Sequence, residues 1–297
     1  MKTTRHAPSR RAFLQTGVLV ASGMALSPRT AAATPVKNLF AAMGIAGSLD
    51  RAAFFRAQGA EFLTVGTGDF LVPDQADAVF SKNLAKLAAS PLPVLACNGF
   101  IRPAHLRCVG AEANHDAILE WAGIAFRRLN QAGGKLIVFG SAGARALRDG
   151  WPKEKADAQF VTLLKRLGPL AEESGVTVAV EQLQASECNY INRIGEAARL
   201  IREAGHPNVR LLADLFHMRR MGDTPADLKA AVDVVAHIEI AERAERTFPG
   251  ARGDDFRPFF RVLHEAGYQG AISIEGTGAD DQVGPAFKEI AKQAAEA

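Results

Sequence analysis

The chain has 297 residues, of which 48% are hydrophobic and 23% are charged, a composition typical of a globular protein with one substantial core. The first 33 residues hold five basic side chains and no acidic one, so removing them changes the formal net charge from +3 to −2. The basic balance therefore belongs to this segment, and no nucleic-acid surface is predicted.

Residues 1–33 have the features of a targeting segment rather than of a fold. A basic stretch containing Arg10 and Arg11 is followed by an apolar run over residues 18–26 and by three alanines at 31–33. This order is typical of a twin-arginine signal with an Ala-x-Ala cleavage site. A transmembrane anchor is the alternative, but the run is short and interrupted by polar residues and glycines. We expect export to the periplasm by the twin-arginine route, no stable membrane insertion after cleavage, and a catalytic domain over residues 34–297.

After this segment, short apolar runs alternate with amphipathic stretches to the end of the chain. Strands are predicted over residues 39–45, 61–65, 93–97, 135–139, 176–180, 209–213, 234–240 and 271–274, and helices over 49–58, 76–89, 114–131, 155–174, 191–204, 225–231, 256–266 and 284–295. Eight strand–helix units of even length predict a single closed (β/α)8 barrel of the α/β class. A doubly wound open sheet is the alternative, but no GxGxxG turn follows the first strand.

The last four predicted strands each lead to an acidic residue: Glu181, Asp214, Glu239 and Glu275. In a (β/α)8 barrel the active site lies at the C-terminal ends of the strands, so these carboxylates are expected to converge. Clustered carboxylates repel each other unless a cation lies between them. Oxygen ligands alone favour Mn²⁺ or Mg²⁺ over zinc. The alternative is that each acid caps the following helix or pairs with an arginine.

His237 keeps a nitrogen ligand open as an alternative to Glu239. It lies two residues before Glu239, hence on the same face of the strand but one layer deeper in the barrel. We expect it to be hydrogen-bonded inside the barrel or to orient Glu239.

Several motifs between residues 93 and 276 resemble those of a known family. They are Ala96-Cys97-Asn98-Gly99-Phe100 with residues 107–110, Val138-Phe139-Gly140-Ser141, residues 180–183 with 188–192, residues 207–218, and Ile274-Glu275-Gly276. Together they resemble the xylose-isomerase-like TIM barrels, in particular the hydroxypyruvate isomerase and D-tagatose 3-epimerase branch. The resemblance implies a barrel fold and a divalent metal site.

Matched position by position, the resemblance implies that Glu181, Asp214, Glu239 and Glu275 are the metal ligands. It also implies that Glu181 and Glu275 exchange a proton with the carbon next to the substrate carbonyl, through a metal-stabilised enediolate. Glu239 stands where the family has a histidine or a glutamine, which is a departure at the third ligand. His217 and Arg246, each expected on a loop, match substrate-contacting residues.

Asn98 and His237 complete the residues that we assign to the substrate site. The expected function is that of a metal-dependent isomerase or epimerase of a small sugar or keto-sugar. Two alternatives stay open, a lyase of 3-keto-glycosides that uses the same site and an inactive barrel that only binds a sugar. The sequence does not name the sugar, and it leaves the oligomeric state open, a homo-oligomer included.

Overall fold

The structure of the chain is a computed structural model that describes residues 39–148 and 150–297. Its eight parallel strands close into one barrel in chain order, because β1 pairs with both β2 and β8. The strands are β1 Met43–Ala46, β2 Phe62–Gly66, β3 Val94–Asn98, β4 Leu136–Phe139, β5 Thr177–Glu181, β6 Val209–Asp214, β7 Val235–Ile240 and β8 Ile272–Ile274. The predicted single (β/α)8 barrel is confirmed, and the predicted signal segment lies outside the described residues.

Eleven α-helices lie in the described part of the chain. They are α1 Ala52–Gln58, α2 Thr67–Phe70, α3 Asp77–Ala88, α4 His115–Gln131, α5 Ala142–Arg145, α6 Lys153–Glu173, α7 Ile194–Ala204, α8 Leu215–Met221, α9 Pro225–Ala231, α10 Arg257–Glu265 and α11 Val283–Ala295. Three of them, α2, α5 and α8, are short helices that begin within three residues of the end of a strand. The sequence pattern did not predict these three helices. No helix among the described residues has the length and apolar character needed to cross a membrane.

The core has two layers because side chains alternate along each strand. Along β4, Ile137 and Phe139 face the helices and belong to the large outer cluster, whereas Leu136 and Val138 face inward. The inner cluster is small, because the barrel interior holds few side chains. It consists of Ala96, Leu136, Val138, Ala179 and Leu212, with Ala236 packed against it. Glu181 shares the parity of Ala179 on β5 and Asp214 that of Leu212 on β6, so these two acids point into the barrel. On β7 the pairing with β6 shifts register by one residue, and His237 and Glu239 are the residues that pair with Leu212 and Asp214.

Candidate active site

Four carboxylates meet at the C-terminal mouth of the barrel. Glu181 and Asp214 end β5 and β6, Glu239 lies near the end of β7, and Glu275 follows β8. The register places Asp214 opposite Glu239, and each of the four residues offers one oxygen within 4.8 Å of the others. The structure thus brings together the four acids that the sequence analysis named as ligands.

Room for the Glu181 carboxylate depends on Gly140, the residue that follows β4. A Cβ atom at this position would lie in contact with Oε2 of Glu181, closer than real Cβ atoms approach a neighbour. Only glycine therefore lets Glu181 keep its place at the mouth of the barrel.

Asp214 uses its two oxygens differently. Oδ1 accepts hydrogen bonds from the main-chain N–H groups of Phe216 at 2.7 Å and His217 at 3.1 Å, so Asp214 caps α8. Oδ2 faces the cluster, 3.4 Å from the Arg246 guanidinium. The helix-capping role and the place in the cluster are therefore compatible in this one residue.

Glu239 is fully buried and is held from below by a chain of hydrogen bonds. His237 Nε2 lies 2.9 Å from Ser273 Oγ, and Ser273 Oγ donates to Glu239 Oε1 at 3.3 Å. Oε2 of Glu239 is buried and has no hydrogen-bond partner within the described residues. The free oxygen is thus the one available to the cluster.

The structure places His237, which the sequence analysis assigned to the substrate site, in the barrel interior with 2% of its surface exposed. Its side chain lies below Ser273 and packs edge-on against Phe62, with ring centroids 6.1 Å apart. Burial lowers the pKa of His237 to about 4, so the ring is neutral. This position supports the expected role of orienting Glu239, not contact with a substrate.

The negative charge of the four acids exceeds the positive charge of the residues around them. Burial and the charge of Glu275 raise the pKa of Glu239 well above its usual range. Burial and the charge of Glu181 raise the pKa of Glu275 to about 7, although Arg246 and Asn98 oppose the rise. A buried oxygen without a partner and a purely oxygen donor set fit a hard divalent cation. The residues present therefore suit the metal that the resemblance implies.

Arg246 supplies the positive charge that faces this cluster. Its guanidinium donates to a carboxylate oxygen of Glu275, to Asp214 Oδ2 at 3.4 Å and to Glu187 Oε1 at 3.3 Å. Its Nε donates to the main-chain carbonyl of Glu275 at 3.0 Å, and the guanidinium carbon lies 4.8 Å from the ring centroid of Phe216. These contacts hold Arg246 against two of the four acids and against Phe216.

His217 lies on helix α8 and is fully buried, although the sequence analysis expected a loop residue. Its Nε2 is 3.4 Å from Glu181 and 3.5 Å from Asp214, while Nδ1 accepts a hydrogen bond from the Gln184 amide at 3.2 Å. Burial opposes a charge on the ring, whereas the neighbouring charges of Asp214 and Glu181 favour one. A second proton would break the Gln184 bond, so we describe His217 as a neutral ring that presents Nε2–H to the acids.

Glu187 is a site residue that the sequence analysis missed. It lies on the loop after β5, where its two oxygens face Arg246 at 3.3 Å and His217 at 3.8 Å. An acid six residues after Glu181, on a rim loop, was the available signal, because loops at this end of a barrel supply functional groups.

Asn98 connects the acids to a cavity of about 360 Å³ between the ends of β1, β2 and β3. Its Nδ2 donates to Glu275 Oε1 at 3.0 Å, and its side chain lines the cavity together with Thr64. The Thr64 hydroxyl is buried and has no hydrogen-bond partner in the part of the chain that the structure describes. Asn98 and Thr64 therefore bring polar groups to the cavity next to the cluster, as in a small-molecule site.

Comparison with known proteins gives the same fold. Residues 49–296 match the family model described as xylose isomerase-like TIM barrel. The inosose isomerase of Halalkalibacterium halodurans is 29% identical over 135 residues, which cover 41% of this chain and 47% of the relative. The chain thus spans about half the length of the curated relatives that it matches.

Two solved structures share the barrel. The 3-keto-D-glucoside 4-epimerase from Escherichia coli superposes with a TM-score of 0.70 at 22% identity, covering 84% of this chain and 98% of that one. The IOLI protein, solved with a bound zinc atom, gives a TM-score of 0.69 at 19% identity, covering 86% of this chain and 98% of that one. Identities this low show the fold alone.

Proposed function

The chain belongs to the xylose isomerase-like TIM barrel family, and on that premise we propose that it is a divalent-metal-dependent isomerase or epimerase of a small sugar or keto-sugar. The curated relative named above is an inosose isomerase, which supports this class of reaction. The reaction moves a proton at the carbon next to a carbonyl group.

One observation carries the proposal: Glu181 and Glu275 reach the same centre from strands on different sides of the barrel mouth. Their carboxylate oxygens belong to the set that lies within 4.8 Å, together with Asp214 and Glu239. A substrate carbon next to this centre would have one carboxylate available to take a proton and another to return it. Epimerisation needs such a pair, because the proton leaves one face of the carbon and returns to the other, whereas aldose–ketose isomerisation can use one of the two acids.

The surrounding residues prepare the two acids for proton transfer. Asn98 holds Glu275 Oε1, and Arg246 binds the other oxygen of Glu275, so the carboxylate keeps one orientation. His217 Nε2 lies beside Glu181 at 3.4 Å. Asp214, Glu239 and the two glutamates would hold the cation, Mn²⁺ or Mg²⁺, which supplies positive charge next to the carbonyl and hydroxyl oxygens of the substrate.

The cavity beside Asn98 suits an uncharged, hydroxyl-rich part of the substrate. Two cations line it, Lys86 and Arg102, but each lies 3.8 Å from an aspartate, Asp50 and Asp69 respectively. Because these charges are paired, the cavity has no excess positive charge for a phosphate group. We infer that the substrate is a sugar without a phosphate.

The test is a panel of keto-sugars and their glycosides incubated in D₂O with the Mn²⁺-loaded protein, followed by mass analysis of the products. The proposal expects deuterium in a product that otherwise keeps the substrate's mass. A second product molecule would show instead that the protein is a lyase, which shares the first proton transfer. Binding of a sugar without deuterium uptake would mean an inactive barrel.

Variants of the two acids test their role in the same assay. Glu181→Gln and Glu275→Gln keep the shape and one oxygen but remove the base, so exchange should fall by about 10²–10⁴-fold. Glu265→Gln is the control, because this exposed glutamate on α10 pairs with Lys229 away from the acids. Near wild-type exchange by Glu275→Gln would refute the mechanism.

The cellular location follows from the sequence pattern alone. We propose that the protein is exported to the periplasm by the twin-arginine route, because Arg10 and Arg11 precede a modest apolar run. The residues concerned lie outside the described part of the structure.

A further inference from the structure

We propose that Glu242, a fully buried acid that takes no part in proton transfer, is the positioning residue that fixes the Arg246 guanidinium on the carboxylate cluster. Glu242 comes two residues after β7 and begins the loop over residues 242–254, which carries Arg246. The consequence for turnover rests on the proposed function, whereas the effect on cation binding does not.

The loop folds around the Glu242 carboxylate. Oε1 accepts hydrogen bonds from the main-chain N–H groups of Gly250 at 2.7 Å, Gly253 at 3.1 Å and Asp254 at 3.2 Å. Oε2 accepts from the N–H of Arg252 and from the Thr247 hydroxyl at 3.4 Å. One side chain thus connects the start of the loop to its far half. Several main-chain N–H groups that converge on one carboxylate stabilise such an arrangement.

Arg246 lies inside the stretch of chain that this carboxylate closes. Glu245 and Arg246 both have left-handed backbone angles, with φ of 57° and 53°, a conformation that ordinary residues hold only when their surroundings impose it. The Thr277 N–H donates to the Arg246 carbonyl at 2.8 Å, and the Glu242 N–H donates to the Thr247 carbonyl at 2.9 Å. The loop therefore holds Arg246 in an unfavourable backbone conformation. The hydrogen bonds to the Glu242 carboxylate are the largest set of contacts that stabilises the loop.

Placement of Arg246 affects cation binding because the guanidinium occupies two of the acids, Asp214 and Glu275. A divalent cation at the cluster and this guanidinium repel each other. A loop released by Glu242→Gln would let the guanidinium leave, so the affinity for Mn²⁺ should rise. Loss of the Glu242 charge by itself would lower the affinity for Mn²⁺. A higher affinity therefore indicates release of the guanidinium.

The experiment measures the Kd for Mn²⁺ by electron paramagnetic resonance of the free ion, for Glu242→Gln, for Arg246→Met and for the double variant. We expect each single variant to bind Mn²⁺ about tenfold more tightly, and the double variant to bind no more tightly than Arg246→Met. The control is Glu196→Gln. This glutamate lies on α7, and its carboxylate also accepts hydrogen bonds from two main-chain N–H groups, those of Asn192 and Arg193. Unchanged or weaker Mn²⁺ binding by Glu242→Gln, with Arg246→Met binding more tightly, would overturn the proposal.

A milder variant covers the case in which Glu242→Gln does not fold. Gly250 has a φ of 93°, so Gly250→Ala strains the residue that makes the 2.7 Å bond and should shift the Mn²⁺ Kd in the same direction. For an active enzyme, both variants should lower kcat by about 10²-fold, the effect of a misplaced positioning group, and Glu242→Asp should restore part of it. If the wild type exchanges no proton with any sugar, the proposed function fails while the Mn²⁺ measurements still decide this inference.

Discussion

Replacing Glu239 with glutamine tests which side chain of β7 faces the cation. Glutamine keeps the size and one oxygen, so the substitution removes only the charge. At an effective dielectric constant of about 20, two unit charges 4.8 Å apart interact by about 3 kcal/mol. A divalent cation among the acids gains at least this much from the Glu239 charge, and the loss corresponds to about 10²-fold in Kd.

The assay compares thermal unfolding with and without Mn²⁺. At a concentration about 100 times Kd, the ion stabilises the wild type by about 2.7 kcal/mol. Glu239→Gln should lose nearly all of this, so the rise in Tm on adding Mn²⁺ should shrink by roughly 5–10 °C. His237→Asn, which acts only through Ser273, should cost about tenfold in affinity. Loss of Mn²⁺ binding in the His237 variant, with normal binding by Glu239→Gln, would refute the assignment.

Three further predictions concern other residues. Ser273→Ala removes the donor to Glu239 Oε1, so the affinity for Mn²⁺ measured by titration calorimetry should fall about tenfold; an unchanged affinity would show that the chain from His237 does not orient Glu239. Gly140→Ala places a Cβ atom against the Glu181 carboxylate, so solvent-proton exchange should fall about 10²-fold with little change in Tm; full activity would contradict the close approach. Changing Arg10 and Arg11 to lysine should leave the precursor in the cytoplasm, and a periplasmic, processed double variant would exclude the twin-arginine assignment.

The sequence was most informative where strand periodicity and chemistry coincide. An acid at the end of an apolar run is placed inward by the alternation of the strand, so Glu181, Asp214, Glu239 and Glu275 could be found without a structure. The same rule placed His237 one layer below Glu239, on the same face. The strand boundaries were less exact: β1 begins at Met43, not at residue 39, because the preceding buried apolar residues packed without joining the sheet.

The loop residues were harder to predict, because their positions depend on contacts that are distant in sequence. His217 was expected on a loop, although Asp214 as N-cap and Gly222 after the last turn are helix signals that frame α8. Glu187 has no periodic pattern to mark it. The loop around Glu242 depends on left-handed backbone angles at Glu245 and Arg246. Neither residue is a glycine, so the sequence gives no signal for this conformation.

The most direct test of the account is the metal dependence of proton exchange at the substrate carbon. The measurement follows the loss, in D₂O, of the NMR signal of the proton next to the carbonyl of a keto-sugar. The protein is either loaded with Mn²⁺ or stripped with a chelator, and Mg²⁺ replaces Mn²⁺ in the loaded sample for the spectrum. We expect exchange with the metal-loaded protein, none with the stripped protein, and recovery when the metal is returned. Equal exchange by the stripped protein, or none by the loaded protein with any keto-sugar of the panel, would contradict a metal-assisted isomerase or epimerase.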